Sequence, residues 1–217
     1  MAYTFPLPLA DFFEGLPIQS FNSDLGEAME ANQTGAGEIT TADLGPRLWR
    51  NDITIRVGHY ADIERVKAKL NLLRQANRSL LVHSMPFMYP QSDPDGSILG
   101  ASVVTLNTVQ VNNREIVLGG LPSGYELTVG DFISWTYGSN PIRYAMHQIV
   151  NGDTATGAGL AFVELTPFIH PGYVLGQTVR LIKPIYKAVV LPGSTKTGES
   201  RGQMTNGIQF SLIQTFR

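Results

Sequence analysis

The chain has no cysteine, which excludes a disulfide framework and any thiolate metal site. No apolar run approaches the ~20 residues that a membrane-spanning helix needs. Charged residues make up only 16%, against about a quarter in ordinary globular chains. The net charge of −2 offers neither a basic footprint for nucleic acid nor an acidic tail. The opening MAYTFPLPLADFFEG lacks a positively charged start and carries two early prolines, so no signal peptide is expected. What is abundant is turn chemistry: 22 Gly and 13 Pro in 217 residues, with 43% hydrophobic residues. These favour many short strands over a helical bundle, in a chain long enough to bury a core. They predict a soluble, mostly-β protein made in the cytosol.

Residues 46–83 carry the strongest local pattern. Trp49, Ile53, Ile55 and Val57 alternate with Arg50, Asp52, Thr54 and Arg56, the period of a half-buried strand. Gly58 and His59 interrupt it, and over residues 60–76 the period changes. Ile63, Val66, Leu70 and Leu73 form one stripe, with acids early and bases later, as the helix dipole favours. Asn77 is a natural stop, and Leu80, Leu81 and Val82 form a short buried run. No other segment carries a convincing helical period.

Around this unit the chain is sheet and loop. Residues 1–18 are expected to be an extended arm, with Pro6 and Pro8 opposing helix and Phe5, Leu7, Leu9, Phe12 and Phe13 as apolar anchors. Residues 19–45 contain EAMEANQTGAGEITTADLG, small, polar and Gly-bearing. They fit either a long surface loop or a β-hairpin that orders against a neighbouring subunit. Asp93-Pro94-Asp95-Gly96 predicts a turn and lacks the further acids of a calcium loop. From 98 to 191, strands are expected at 101–106, 115–118, 125–129, 132–137, 143–150, 160–165, 177–182 and 185–191. Their spacing points to a small barrel or sandwich, with Leu127, Val129, Phe132, Trp135, Met146, Ile149, Phe162 and Val163 as its core. Residues 193–207 are expected to be a loop or linker. Ile208, Phe210, Leu212 and Phe216 then form a closing strand expected to pair near the first sheet. The division predicted is a first domain of residues 1–90 and 203–217, interrupted by a module with flanking linkers at 91–202.

Catalytic chemistry is sparse. His59, His83, His147 and His170 are widely separated, with no pair at i, i+4, so satisfied structural histidines are the expectation. The stretch 193–200 resembles a phosphate loop only until Glu199, which stands where the essential lysine belongs. Residues 151–159 lack the spacing of a dinucleotide fingerprint, and no G-x-S-x-G elbow is present. Trp49 and Trp135 fall on apolar faces, where packing is the commoner use than stacking on a sugar. No catalytic, cofactor-binding or metal site is expected, and the chain reads as non-enzymatic.

Several stretches, taken in order, resemble the distal tail proteins of long non-contractile-tailed phages and related gene transfer particles. They are FPLPLADFFEGLPIQSF, LGPRLWRNDITIRVG, the helix ADIERVKAKLNLLRQANRSLLVH, the module beginning LPSGYELTVGDFISWTYG and running to IKPIYKAVVL, and the closing GIQFSLIQTF. The resemblance implies a structural protein of the virion tail tip. Its first domain, β-sandwich-like with one helix, would form a ring, usually hexameric, between the tail tube and the tip hub or receptor-binding proteins. An inserted, OB-like barrel or sandwich module would project outward. Alternatives are a glycan-binding module using aromatics of the insertion, a tail-tube or tail-terminator ring protein, and a tail-associated hydrolase, which needs converging acids or a nucleophile and base.

Overall fold

The computed structural model describes residues 3–217; residues 1 and 2, the start of the expected arm, lie outside it. In chain order the elements are β1 (Ile18–Leu25), β2 (Met29–Gln33), β3 (Ile39–Asp43), β4 (Trp49–Ile55), β5 (Gly58–His59), α1 (Tyr60–Leu73) and β6 (Leu80–His83). Then follow β7 (Thr105–Val109), β8 (Glu115–Gly119), β9 (Glu126–Leu127), β10 (Phe132–Tyr137), β11 (Arg143–Asn151), β12 (Asp153–Thr154) and β13 (Ala161–Thr166). Last come β14 (Ile185–Val190), β15 (Lys196–Arg201) and β16 (Met204–Gln214). The protein is mostly β with one short helix.

The first sheet runs β1-β4-β16-β14-β6, with β15 and β5 also paired to β16. Along β4, burial alternates as the sequence pattern predicts: Trp49, Ile53 and Ile55 are at most 3% exposed. Val57 departs from it, 47% exposed because β4 ends at Ile55 and the chain turns toward α1. His59 caps the helix, its Nδ1 accepting from the Ala61 N–H at 3.4 Å. Ile63, Leu70 and Leu73 are buried on one helical face, and Asn77 closes the exit with φ +62°. The apolar residues packed on the sheet come from α1 and the N-terminal arm, joined by Phe132 and Met146 from the second sheet. The arm makes one parallel bridge, Leu7 with Leu80. It then folds into two short 3-10 turns, Leu9–Asp11 and Phe13–Gly15, that put Phe12, Phe13 and Leu16 in the core.

The second sheet runs β10-β11-β13-β8-β7 and closes on itself. Leu106 N–H donates to the Gln177 carbonyl at 2.9 Å, and the Ser134 and Arg180 backbones exchange bonds of 3.0 and 2.7 Å. Residues 177–180 thus join β7 to β10, which removes both free edges. Inside lie Leu106, Ile133, Trp135, Ile149, Val163 and Leu165. Two buried aspartates tie the entry segment down. Asp93 accepts from the Ile98 and Leu99 N–H groups at 3.1 and 2.9 Å. Asp131 accepts from Gln91 N at 2.9 Å and Thr128 N at 3.0 Å.

Three expectations are corrected. Residues 185–201, assigned to the inserted module and its linkers, belong to the first sheet, as β14 and β15. The expected loop at 193–207 is mostly a hairpin, in which Lys196 pairs with Gln209 and Arg201 with Met204. Of the expected module core, Val129 and Phe162 are exposed, while Phe132 and Met146 pack into the first core. The reason is β10, which is buried on both faces: Ile133 and Trp135 point into the barrel, and Phe132 points out of it toward the first domain.

Candidate assembly surface

Three features could carry function: the buried junction between the two cores, a projecting hairpin, and the outer wall of the barrel. At the junction, Trp49 Nε1–H donates to the Met146 carbonyl at 2.9 Å, and its ring meets Phe132 edge-on at 5.3 Å. Its backbone N–H donates to Gln214 Oε1 at 3.2 Å. Ile185 N–H donates to Ser134 Oγ at 2.9 Å. Beside it the ammonium of Lys187, 5% exposed, meets the Ile142 carbonyl at 3.4 Å. Burial, with Arg143 nearby, holds the Lys187 pKa below the usual lysine range.

The histidines do not converge. His59 is the helix cap, and His83 lies edge-on to Phe13 at 5.1 Å. His147 stacks on Trp135 at 4.6 Å and donates from Nδ1 to the Pro167 carbonyl at 2.8 Å. His170 lies against Phe216 at 4.6 Å. Among the described residues, no three His, Asp or Glu side chains gather in a metal-binding group.

Burial pushes His147 down to about 4 and lowers His83 and His170 in the same direction. A histidine kept neutral in the fold but free to protonate when unfolded contributes stability above ~6.5, lost as pH falls toward the folded value. His147 alone accounts for roughly 3 kcal/mol over that window. Denaturant titrations at pH 7, 5.5 and 4.5 are expected to show stability falling, with a shallower fall in His147→Gln. A flat profile in the unmodified protein would contradict the burial of His147.

The hairpin is the most exposed part of the fold. β2 and β3 pair only with each other, from Met29–Asp43 to Gln33–Ile39, and residues 29–47 are all exposed. The tip closes with Gly37 at φ +85°, its N–H donating to the Thr34 carbonyl at 2.9 Å. Arg47 anchors the base, donating to the Gly26 and Leu25 carbonyls at 3.2 Å each. Residues 27–47 hold four acids (Glu27, Glu30, Glu38, Asp43) and one base, so the arm is negatively charged. Met29, Ile39 and Leu44 are nonetheless 46%, 69% and 69% exposed. A lone two-stranded hairpin is marginal in water, so this one lacks a stabilising surface within its own chain.

The hairpin grows from β1, the strand that ends the sheet order. Along its eight residues β1 has one charge, Asp24, where free edges are normally blunted by several. The closing strand β16 is also free of charge up to Gln214, but it is no edge. β16 lacks charge because β4 lies on one side and β14 and β15 on the other. Sequence also missed Phe162 and Phe168, 58% and 45% exposed, since alternation does not say which face of a closed barrel looks outward. Compared with protein-family models and with curated proteins, the chain matches none.

Proposed function

We propose that this protein is a structural component of a phage-type tail tip. It forms a closed ring, expected to be hexameric, between the tail tube and the hub or receptor-binding proteins. The observation that carries the reading is the exposed hairpin rising from the sparsely charged edge strand β1. Each copy offers an arm that needs a surface and an edge that needs a strand, and repeated around a closed symmetry this contact leaves neither unpaired. The resemblance of the strand–helix–strand unit and the inserted module to distal tail proteins supplies the setting.

Light scattering of the purified protein at increasing concentration, with negative-stain micrographs of the same samples, tests the proposal. The expected result is a discrete oligomer seen as rings of uniform size. A chain that stays monomeric up to millimolar concentration, with no rings on the grid, overturns it.

A further inference from the structure

A cleft opens where the outer wall of the barrel meets the first sheet, and strand register explains its lining. Ser134 of β10 is bridged to Arg180, and Thr136 pairs with Tyr144 of β11. Side chains opposite each other in such pairs share a face. Thr178, two residues before Arg180, lies on that face too. Across from them, Leu81 of β6 helps to enclose a cavity of about 380 Å³. The lining carries hydroxyls and one guanidinium but no carboxylate. Arg180 is exposed, and among the described residues it has neither an ion pair nor an aromatic ring beneath it. Lys187, paired with Leu81 on β14, is buried against the Ile142 carbonyl, and Arg143 is a third cation close by. The cleft is therefore positively charged and uncompensated.

The hollow between α1 and the N-terminal arm, about 430 Å³, differs in this respect. Asp11 and Asp62 line it beside Arg65 and Lys69, and Asp62 already pairs with Arg65 at 3.2 Å. An occupant of the cleft has to bring negative charge, carboxylate oxygens for the hydroxyls and guanidinium, and a slim cross-section. The 27–47 hairpin has all three. Its four acids and one base leave a net charge of −3, and its tip is Gly35-Ala36-Gly37. Glu38 is held at that tip, its carbonyl accepting from the Thr34 N–H at 2.8 Å, and Ile39 follows, exposed. Topology separates the two features. The hairpin joins β1 to β4, and β1 ends the path β1-β4-β16-β14-β6 on one side, whereas the cleft lies beside β6 at the other. Four strand spacings of ~4.8 Å lie between them. An arm at one end and a receiving cleft at the other make a head-to-tail contact, the kind that closes into a ring.

We infer that the hairpin tip of one copy seats in this cleft of the next. The Glu38 carboxylate meets the Arg180 guanidinium and the Thr136 and Thr178 hydroxyls, and Ile39 packs against Leu81. The inference rests on the ring reading proposed above and adds the surface that receives the arm. Because the chain has no cysteine, Glu38→Cys with Thr178→Cys introduces its only thiols. Mild oxidation of the assembled full-length protein is expected to give a series of linked chains ending at the copy number of the ring. Arg180→Glu is expected to raise the concentration for half-assembly at least tenfold, and adding Glu38→Arg to the same chain is expected to restore rings. Both positions are exposed, so melting temperatures should match that of the unmodified protein. Rings that form without cross-links, cross-linking that stops at dimers, Arg180→Glu assembling normally, or rings lost and not regained with Glu38→Arg overturns the cleft as acceptor and leaves the ring reading standing. Unmodified protein that forms no rings overturns both.

Discussion

Replacing residues 27–47 by an Asn-Gly pair is expected to abolish ring formation while leaving both β cores folded. The replacement suits the local geometry because Gly26 N–H donates to the Leu48 carbonyl at 3.0 Å. Two residues can therefore join β1 directly to β4 as a tight hairpin. The removed residues contribute nothing to either core, so stability should change by less than about 1 kcal/mol, as for exposed positions generally. Ordering a segment costs ~1–2 kcal/mol per residue in backbone entropy; with few contacts in its own chain, the hairpin must recover that at another surface. Thermal melts and micrographs of both proteins decide the matter. Rings that persist would move the interface away from the hairpin, and a variant that fails to fold would make the hairpin part of the core.

Trp49→Ala is expected to cost ~3–5 kcal/mol, the range for truncating a large buried aromatic, and to separate the two cores. Trp49 contributes to the first core and also holds Phe132 and the Met146 carbonyl of the module. Its removal empties a cavity at the junction and leaves that carbonyl without its donor. The barrel core does not contain Trp49, so the module should melt separately, as a second calorimetric transition at higher temperature. Trp49→Phe keeps most of the apolar contact, loses the hydrogen bond, and should cost less, about 1–2 kcal/mol. A loss under ~1 kcal/mol for Trp49→Ala, with one cooperative transition, would show that something else couples the cores.

Much of the local structure was legible in the residues. The alternation through Trp49, Ile53 and Ile55 and the stripe Ile63, Leu70, Leu73 locate β4 and α1 to within a few residues. Each is a relation among neighbours two, three or four positions apart, which local sequence records directly. The turn at Asp93–Gly96 follows from the same short-range chemistry. The Ser134–Arg180 pair was not legible. These residues are 46 positions apart, and only the bridge between β10 and residues 177–180 brings them together.

By itself, then, the sequence determined that this is a mostly-β chain with one amphipathic helix, many short strands, no disulfide and no thiolate metal site. Composition and short-range periodicity are properties of the chain before it folds. Tertiary structure alone decided which strands are neighbours. It placed β14 and β15 in the first sheet, set β16 at the centre of that sheet, turned Phe132 and Met146 toward Trp49, and left the 29–43 hairpin and Phe162 in solvent. A buried strand and an unpaired one can share the same alternation, because pairing depends on residues brought from far along the chain.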